Sequence, residues 1–150
     1  LAPLSKGRDM IPDAMPHALS LLYSVLGPGA LEQLELQPSA GRLLVSFVYA
    51  APECHCKVTA ELVRGTSQPR SFAFGFNGRI TQRTIDVTDY SISFTCDDKI
   101  CAVEDPLRLS VRDFLRACSS GNAPRIDSEH IVDTMTMLQQ VYAAWPAGQR

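Results

Sequence analysis

Asp13 and His17 are the two residues of this chain whose types and spacing best suit chemistry. They precede an apolar run from Leu19 to Leu26, so the segment is typical of the start of a helix. On a helix, residues four apart project from one face, one turn from each other. A carboxylate at that distance can orient an imidazole and stabilise its protonated form. The sequence therefore predicts an acid–imidazole pair, suited to proton transfer, at the beginning of the first helix.

Both residues also have a purely structural interpretation. Asp13 could be the N-cap of a helix over residues 13–26, where its side chain would accept a backbone N–H. Pro16 would then occupy the third helical position, where a proline is tolerated because its missing N–H has no partner there anyway. A cap and a catalytic role are compatible. By itself, His17 would be interpreted as a partly buried helix residue.

Size and composition indicate one ordinary globular domain over residues 1–150. The chain is 45% hydrophobic and 20% charged, with a net charge of −2. That charge gives no reason to expect nucleic acid or an anionic membrane as a partner. No apolar run approaches the roughly 20 residues that cross a bilayer, and no signal peptide is visible. Because the chain begins at Leu1 and not at Met, we expect a processed product or, more readily, a piece of a longer protein.

Cysteine usage favours a reducing compartment, and we therefore expect a cytoplasmic protein. The five cysteines are an odd number at irregular spacing, which is a poor framework for disulfides. Cys54-His55-Cys56 together with Cys96 and Cys101 could be imagined as a zinc site. That spacing fits no zinc module well, so we predict no metal and expect thiols that are buried or half-buried in strands.

The middle of the chain changes from a helical period to the period of two that is typical of strands. Asn77-Gly78 is the strongest turn signal, because both residues accept the positive φ of a tight hairpin. The links between strands are short, so neighbouring strands must be antiparallel. One face of this sheet should pack on helices, and the other could meet solvent or another subunit. The predicted strands span residues 31–37, 43–50, 55–64, 70–76, 80–87, 90–96 and 100–103.

Two helices follow the strands. Asp105 and Pro106 suit the N-cap and first residue of one helix, and Asp127-Ser128 suit the start of another that runs to about Trp145. Their predicted apolar stripes are Leu107, Val111, Phe114 and Leu115 in the first, and Ile131, Met135, Leu138, Val141 and Tyr142 in the second. The predicted fold class is α+β, a two-layer sandwich with an open, mostly antiparallel sheet of about six strands and helices on one face.

The chain's own residues form no recognisable dinucleotide-binding loop. Gly27-Pro28-Gly29 begins like one, but Glu32 stands where the third glycine belongs, and a helix precedes the segment instead of a strand. We therefore expect this chain alone to bind no cofactor.

The order of these motifs resembles the second domain of one enzyme family. The resemblance is carried by Asp13-x3-His17, the strand meander, the segment Glu104–Leu107 and the segment Phe114–Ala117, and it extends over nearly the whole chain. The tail from Pro124 to Ala144 fits as well. The family is that of the glucose–fructose oxidoreductase, inositol dehydrogenase and rhizopine-catabolism (Gfo/Idh/MocA) oxidoreductases.

The resemblance implies a substrate and dimerisation domain that works with an N-terminal Rossmann domain, which binds NAD or NADP. It implies a small-molecule substrate of sugar or polyol type and a homo-oligomer formed through the sheet. Carried over residue by residue, it makes Asp13 and His17 catalytic. It also places Lys6 and Arg8 in a lead-in where family members often touch substrate or cofactor, although a plain surface role remains open for both.

Two positions depart from the family pattern. Met15 stands where the family commonly has glycine, and Ser20 stands where it commonly has a second Asp. These departures leave an alternative function open, a non-catalytic scaffold or interaction module that retains the fold without the chemistry.

Overall fold

The computed structural model describes residues 1–66 and 68–147, which form an α+β fold with open antiparallel sheets, as the sequence predicts. Each predicted strand corresponds to an observed one, but the strands are divided between a sheet of three and a sheet of four. The elements are α1 (Met10–Leu26), β1 (Ala30–Ser39), β2 (Arg42–Ala51), β3 (Cys54–Val63), β4 (Phe72–Phe76), β5 (Arg79–Ile85), β6 (Ile92–Cys96), β7 (Lys99–Val103), α2 (Pro106–Ser120) and α3 (Ser128–Ala143).

The chain divides into two compact units. The first combines the residues up to Thr66 with those from Ser128 onward, so it contains α1, β1 to β3 and α3. The second comprises the residues between them and contains β4 to β7 and α2. That residues 1–150 act as a single domain stays a prediction.

The first unit is a two-layer structure built on β2, the central strand of the order β1-β2-β3. Strict alternation along β2 places every second side chain in the core. Residues from α1 and α3 pack against the same face and belong to the same core cluster. The buried side chains that β2 and β3 contribute are Leu43, Val45, Phe47, Tyr49, Ala51, Ala60 and Leu62.

The lead-in before α1 lies along the free edge of β3. The Val63 N–H donates to the Leu1 carbonyl at 2.9 Å, and the Gly65 N–H donates to the Pro3 carbonyl at 2.7 Å. Gly65 approaches Ala2 so closely that a Cβ would come within 3.1 Å of the Ala2 Cβ. The lead-in is therefore held against the sheet before the chain enters α1.

The helix α1 begins earlier than the sequence predicts, at Met10, and this corrects the interpretation of Asp13 as its N-cap. A short 3₁₀ turn over Gly7–Asp9 leads directly into α1, so Asp9 takes the cap position, without a side-chain hydrogen bond. Asp13 therefore lies inside the first turns. Pro16 becomes an internal residue of the helix instead of its third.

The buried face of α3 also differs from the prediction. Leu138 and Val141 are buried as expected, but Ile131 and Met135 are 53% exposed and Tyr142 is 37% exposed. The face that packs in the core is shifted by about one residue from the predicted stripe. Apolar residues at helical spacing can be grouped into more than one stripe, and the structure buries a different one from that predicted. Its buried members are His130, Thr134, Met137, Leu138 and Val141.

The second unit is a four-stranded meander in the order β4-β5-β6-β7. Asn77 and Gly78 have φ of 51° and 81°, so they form the predicted tight turn between β4 and β5. Phe72 and Phe74 share one face, with ring centroids 5.9 Å apart, and Phe74 meets Phe94 edge-on at the same distance. Register pairs Arg83 with both Phe72 and Phe94, which places all three aromatic rings on one side of the sheet.

The helix α2 begins where the sequence predicts. The Asp105 carboxylate accepts the Leu107 N–H at 2.9 Å, Pro106 is the first helical residue, and Gly121 ends the helix in the left-handed conformation. No residue of α2 is buried. The predicted apolar stripe is present, but Leu107 is 71% exposed and Phe114 is 61% exposed.

Candidate functional site

The helix α1 carries Asp13 and His17 one turn apart, outside the half of the helix that its buried residues occupy. The core-facing side of α1 consists of Met10, Ile11, Ala14, Met15, Leu19 and Leu22. At 100° per residue, these six positions cover one half of the helix, and positions 13 and 17 fall in the other half. Asp13 is half-buried and His17 is exposed. The imidazole is therefore accessible to a small molecule.

One carboxylate oxygen of Asp13 holds the lead-in against α1. Its Oδ2 accepts the backbone N–H of Leu4 at 2.7 Å and that of Ser5 at 3.2 Å. Hydrogen bonds from an N–H to an ionised acceptor are among the stronger ones in proteins. Asp13 therefore has an established structural function, and its predicted catalytic function stays a prediction.

Arg8, predicted to touch substrate, binds the C-terminal end of α3. Its Nη2 and Nε donate to the Tyr142 carbonyl at 2.8 and 3.2 Å, and the guanidinium lies 3.8 Å above the Tyr142 ring. The last carbonyls of a helix lack partners within the helix and carry partial negative charge, so a cation is stabilising there. Lys6 is exposed at the start of the 3₁₀ turn. Substrate binding by Lys6 and Arg8 stays a prediction.

The buried polar contact between α1 and α3 involves His130, which lies outside the predicted apolar stripe of α3. His130 is 4% exposed, its Nε2 lies 2.9 Å from the Ser20 hydroxyl, and its ring stacks on Tyr23 at a centroid distance of 4.2 Å. In the sequence, His130, Thr134 and Val141 are at helical spacing too, but in a different phase from the predicted stripe, and spacing by itself does not select one phase over the other.

The two departures from the family pattern have structural explanations. Met15 is fully buried in the core, so it does not line an open pocket beside His17. Ser20 is engaged with His130 across the α1–α3 contact. Both side chains therefore contribute to the packing of the first unit.

Tyr49 fixes the turn that ends α1. Its hydroxyl donates to the Gly27 carbonyl at 2.6 Å from a fully buried position in β2. Burial raises the pKa of the Tyr49 phenol, and the neighbouring Tyr23 and Asp133 add to this effect. A Cβ at Gly29 would lie 2.7 Å from the Tyr49 ring, so only glycine fits at that point.

The described residues contain no cluster that could hold a metal ion, and Gly27–Gly29 does not form a dinucleotide-binding turn. No group of three or more His, Cys, Asp or Glu side chains lies close enough to hold a metal ion there. The five cysteines are free, and the expectation of thiols buried or half-buried in strands is wrong for Cys54 and Cys101, which are exposed, as is Cys118 in α2. The segment Gly27-Pro28-Gly29 leaves a helix and enters a strand, the reverse of a dinucleotide-binding turn.

A concavity of about 270 Å³ lies in the second unit, on α2 and the turn after it. Its lining residues are Asp113, Arg116, Ala117, Ser120, Asn122 and Ala123. None of the four predicted site residues contributes to it. Within the described ranges, none of the helices combines the length and apolarity needed to cross a bilayer.

Comparison with known proteins gives a likeness of fold. No protein-family model matches the chain, and no curated protein matches it significantly. Among solved structures it is similar to UDP-N-acetylglucosamine 3-dehydrogenase GnnA from Acidithiobacillus ferrooxidans, with a TM-score of 0.64 and 18% identity. The match covers 95% of this chain and 50% of that one, so the chain spans about half the length of that dehydrogenase. At this identity, the likeness shows that the two share a fold.

Proposed function

We propose that this chain is the substrate-binding and dimerisation domain of an NAD(P)-dependent oxidoreductase of the Gfo/Idh/MocA family, acting on a sugar- or polyol-like alcohol or carbonyl. The observation that carries the proposal is the fold shared with a UDP-sugar dehydrogenase over 95% of the chain. That dehydrogenase belongs to the family that the sequence independently resembles. The chain would work in the cytoplasm with a nucleotide-binding partner domain.

The chemistry assigned to this chain is proton transfer at His17. Oxidising a secondary alcohol requires that the hydroxyl proton leave, and the exposed imidazole of His17 is a suitable proton acceptor. Asp13, one turn earlier, would stabilise the imidazolium that forms. Because two backbone N–H groups already fix its Oδ2, this carboxylate needs little further ordering to act.

The nicotinamide cofactor would bind outside this chain. The glycine-rich turn at Gly27–Gly29 has the wrong order of elements for a dinucleotide. When bound to its own domain, the cofactor would supply hydride transfer. In this chain we therefore assign residues only to substrate and proton.

The complete gene product provides the test of this proposal. Reduction of NAD and NADP would be followed with UDP-N-acetylglucosamine and with a panel of free sugars and polyols. We expect His17→Ala to lower kcat by about 10²-fold or more, the usual contribution of a general base. The matched control is Ser24→Ala, an exposed substitution on the same side of α1, for which turnover should stay unchanged.

Two outcomes would contradict the catalytic role. One is full turnover in His17→Ala. The other is an equal loss in Ser24→Ala, which would attribute the effect to α1 as a whole. Asp13→Asn is informative only together with a melting curve, because Asp13 also anchors the lead-in at Leu4 and Ser5.

A second candidate function is a non-catalytic scaffold that retains the fold. It is favoured by the use of Met15 and Ser20 in packing and by the engagement of Asp13 with the lead-in. This candidate predicts that the complete gene product dimerises through the sheet but neither binds NAD(P) nor turns over any alcohol. Nicotinamide binding, measured by fluorescence, together with light scattering separates the two candidates.

A further inference from the structure

The strands β4 and β5 place an aromatic and a basic column of side chains next to each other. Directly paired residues of antiparallel strands point to the same side of a sheet, and so do alternate residues of one strand. One side of β4 carries three phenylalanines, and the paired positions of β5 carry two arginines and a threonine. The pairs are Phe72–Arg83, Phe74–Thr81 and Phe76–Arg79. We call this side of the four-stranded sheet the aromatic–basic face.

The aromatic–basic face extends over β6 and β7. Arg83 pairs with Phe94, and Phe94 pairs with Cys101, so all three side chains point to this side. Lys99 lies two residues before Cys101 in β7 and therefore points there too. Every charged side chain that β4 to β7 place on this face is basic. These side chains are Arg79, Arg83 and Lys99.

The guanidinium of Arg83 lacks an acceptor for one of its buried N–H groups. Its Nη2 donates to the Arg70 carbonyl at 3.1 Å, and its Cζ lies 5.3 Å from the centroid of the Phe72 ring. Its Nε is buried and has no hydrogen-bond partner among the described residues. A buried N–H without a partner is unfavourable, more so in a charged group. The site therefore requires an acceptor that the described chain does not provide, and an oxyanion would supply one.

Two of the three cations on this face have no carboxylate partner. Arg79 forms an ion pair with Asp97 at 2.6 Å, whereas neither Arg83 nor Lys99 forms one among the described residues. Strand spacing of about 4.8 Å and a rise of about 3.4 Å per residue put the Cα atoms of Arg83 and Lys99 about 12 Å apart. Two long side chains can converge on one ligand across that distance. The face thus offers two uncompensated positive charges beside a column of rings.

We propose that the aromatic–basic face binds a nucleoside diphosphate. The diphosphate accepts hydrogen bonds from the Arg83 guanidinium and the Lys99 ammonium, since Arg suits bidentate contacts with phosphate oxygens and Lys acts as a point charge. The base stacks on the aromatic column at Phe76, which is 38% exposed, whereas Phe72 and Phe74 are half-buried. Because every base has a π-face, stacking alone does not select one base.

The charges favour a single nucleotide over a longer nucleic acid. Affinity for a polynucleotide comes from neutralising several phosphates at once. This chain has a net charge of −2, and Arg79, the third cation of the face, is already paired with Asp97. The two remaining cations match one diphosphate. The face uses none of the residues assigned to substrate binding or proton transfer, so this inference is independent of the proposed function.

Titration of the 150-residue chain with ADP and with UDP, measured by isothermal titration calorimetry, tests the proposal. We expect both nucleotides to bind with similar affinity, because the rings accept either base. Adenosine and inorganic pyrophosphate should each bind about tenfold more weakly or worse, because each lacks one half of the ligand. The backbone amide NMR signals of β4 and β5 should shift when ADP is added, which locates the nucleotide on this sheet.

Substitutions separate the two halves of the site. Arg83→Met and Lys99→Ala should each weaken ADP binding by about tenfold or more, since each removes a charged contact with phosphate. Phe76→Leu should weaken ADP binding by about tenfold through lost stacking but leave pyrophosphate binding unchanged. The matched control is Arg108→Met, an arginine of α2 whose side chain is 78% exposed, which should leave the affinity unchanged. Lys99 is exposed, so Lys99→Ala remains a test even if Arg83→Met fails to fold.

Four results would overturn the proposal. Pyrophosphate binding as tight as that of ADP would mean that the rings contribute nothing and that the face holds a bare anion. An unchanged affinity in both Arg83→Met and Lys99→Ala would place the nucleotide elsewhere on the chain. Tighter binding of a single-stranded oligonucleotide than of ADP, with a steep salt dependence, would make nucleic acid the partner. Absence of binding up to about 10 mM ADP or UDP, weaker than the millimolar end of specific affinity, would exclude a nucleotide site.

Discussion

The first and second units contain similar alternating strands but differ in what those strands bury. Every buried apolar side chain of the described residues lies in the first unit, where α1 and α3 cover the inner face of β1 to β3. In the second unit, the aromatic rings of β4 and β6 are half-buried at most, and α2 buries nothing. Period-two alternation therefore makes a strand, but a core requires a second layer on the same face.

The stripe of α2 shows the consequence. Leu107, Val111, Phe114 and Leu115 recur at helical spacing, yet each is at least 50% exposed. Contiguous exposed apolar surface is uncommon in isolated globular domains. Because the apolar side chains of the first unit are buried and those of α2 are exposed, truncating a leucine should change the free energy of unfolding by different amounts in the two units.

The largest expected difference is between two leucine truncations. Leu43→Ala, in the fully buried centre of the first unit, should lower the free energy of unfolding by about 2–5 kcal/mol, because it removes buried methyl groups and leaves a cavity. Leu107→Ala, at a side chain that is 71% exposed, should change it by less than about 0.5 kcal/mol. Urea denaturation followed by circular dichroism measures both, and equal losses would mean that the α2 stripe is covered in solution.

A smaller difference should separate two tyrosine hydroxyls. Tyr49→Phe removes the donor to the Gly27 carbonyl and should cost about 1–3 kcal/mol. Tyr90→Phe, at a residue 77% exposed in the second unit, should cost almost nothing. Because the pKa of Tyr49 is raised in the folded protein, the unfolded chain ionises first, so wild-type stability should also fall as pH rises above about 10. If the stability of Tyr49→Phe still falls as the pH rises above about 10, the loss must arise from the ionisation of other groups.

The smallest effect concerns the polar contacts by which Asp113 of α2 binds the segment that follows the helix. Asp113 accepts the Arg125 N–H at 2.9 Å, and this hydrogen bond, with help from the Arg116 guanidinium, lowers the pKa of the Asp113 carboxyl. The Asp113 carboxyl has a lower pKa in the folded protein than in the unfolded chain, where it is about 3.9. Its ionised form therefore stabilises the fold above about pH 3.9, and this stabilisation is lost as the pH falls through the folded pKa. The amide NMR signal of Arg125 should therefore shift below about pH 4 in the wild type. Asp113→Asn should abolish that shift. The control Asp98→Asn, an exposed carboxylate in another turn, should leave the shift unchanged. A shift that remains in Asp113→Asn would show that another group titrates near Arg125.

Local signals predicted elements and turns well. Asp105-Pro106 and Gly121 bracket α2, and Asn77-Gly78 makes the hairpin, because caps and turns depend on a few adjacent residues whose φ preferences are strong. The beginning of α1 was missed because the 3₁₀ turn at Gly7–Asp9 extends the helix backward beyond Asp13. The Asp13–His17 pair could be proposed as catalytic from its spacing, but the hydrogen bonds of Asp13 to Leu4 and of Arg8 to Tyr142 lie outside any local pattern.

The sequence by itself determined which residues are strands, which are helices and where most of them begin and end, since these choices follow from periodicity and from backbone preferences of neighbouring residues. Tertiary structure alone decided which face of α3 is buried, that His130 meets Ser20, and that the apolar stripe of α2 is exposed. The physical reason is that a side chain is buried only when a second surface packs against the one that carries it. An amphipathic segment specifies that it has an apolar side, but the shape and position of the opposing element determine which side chains leave water.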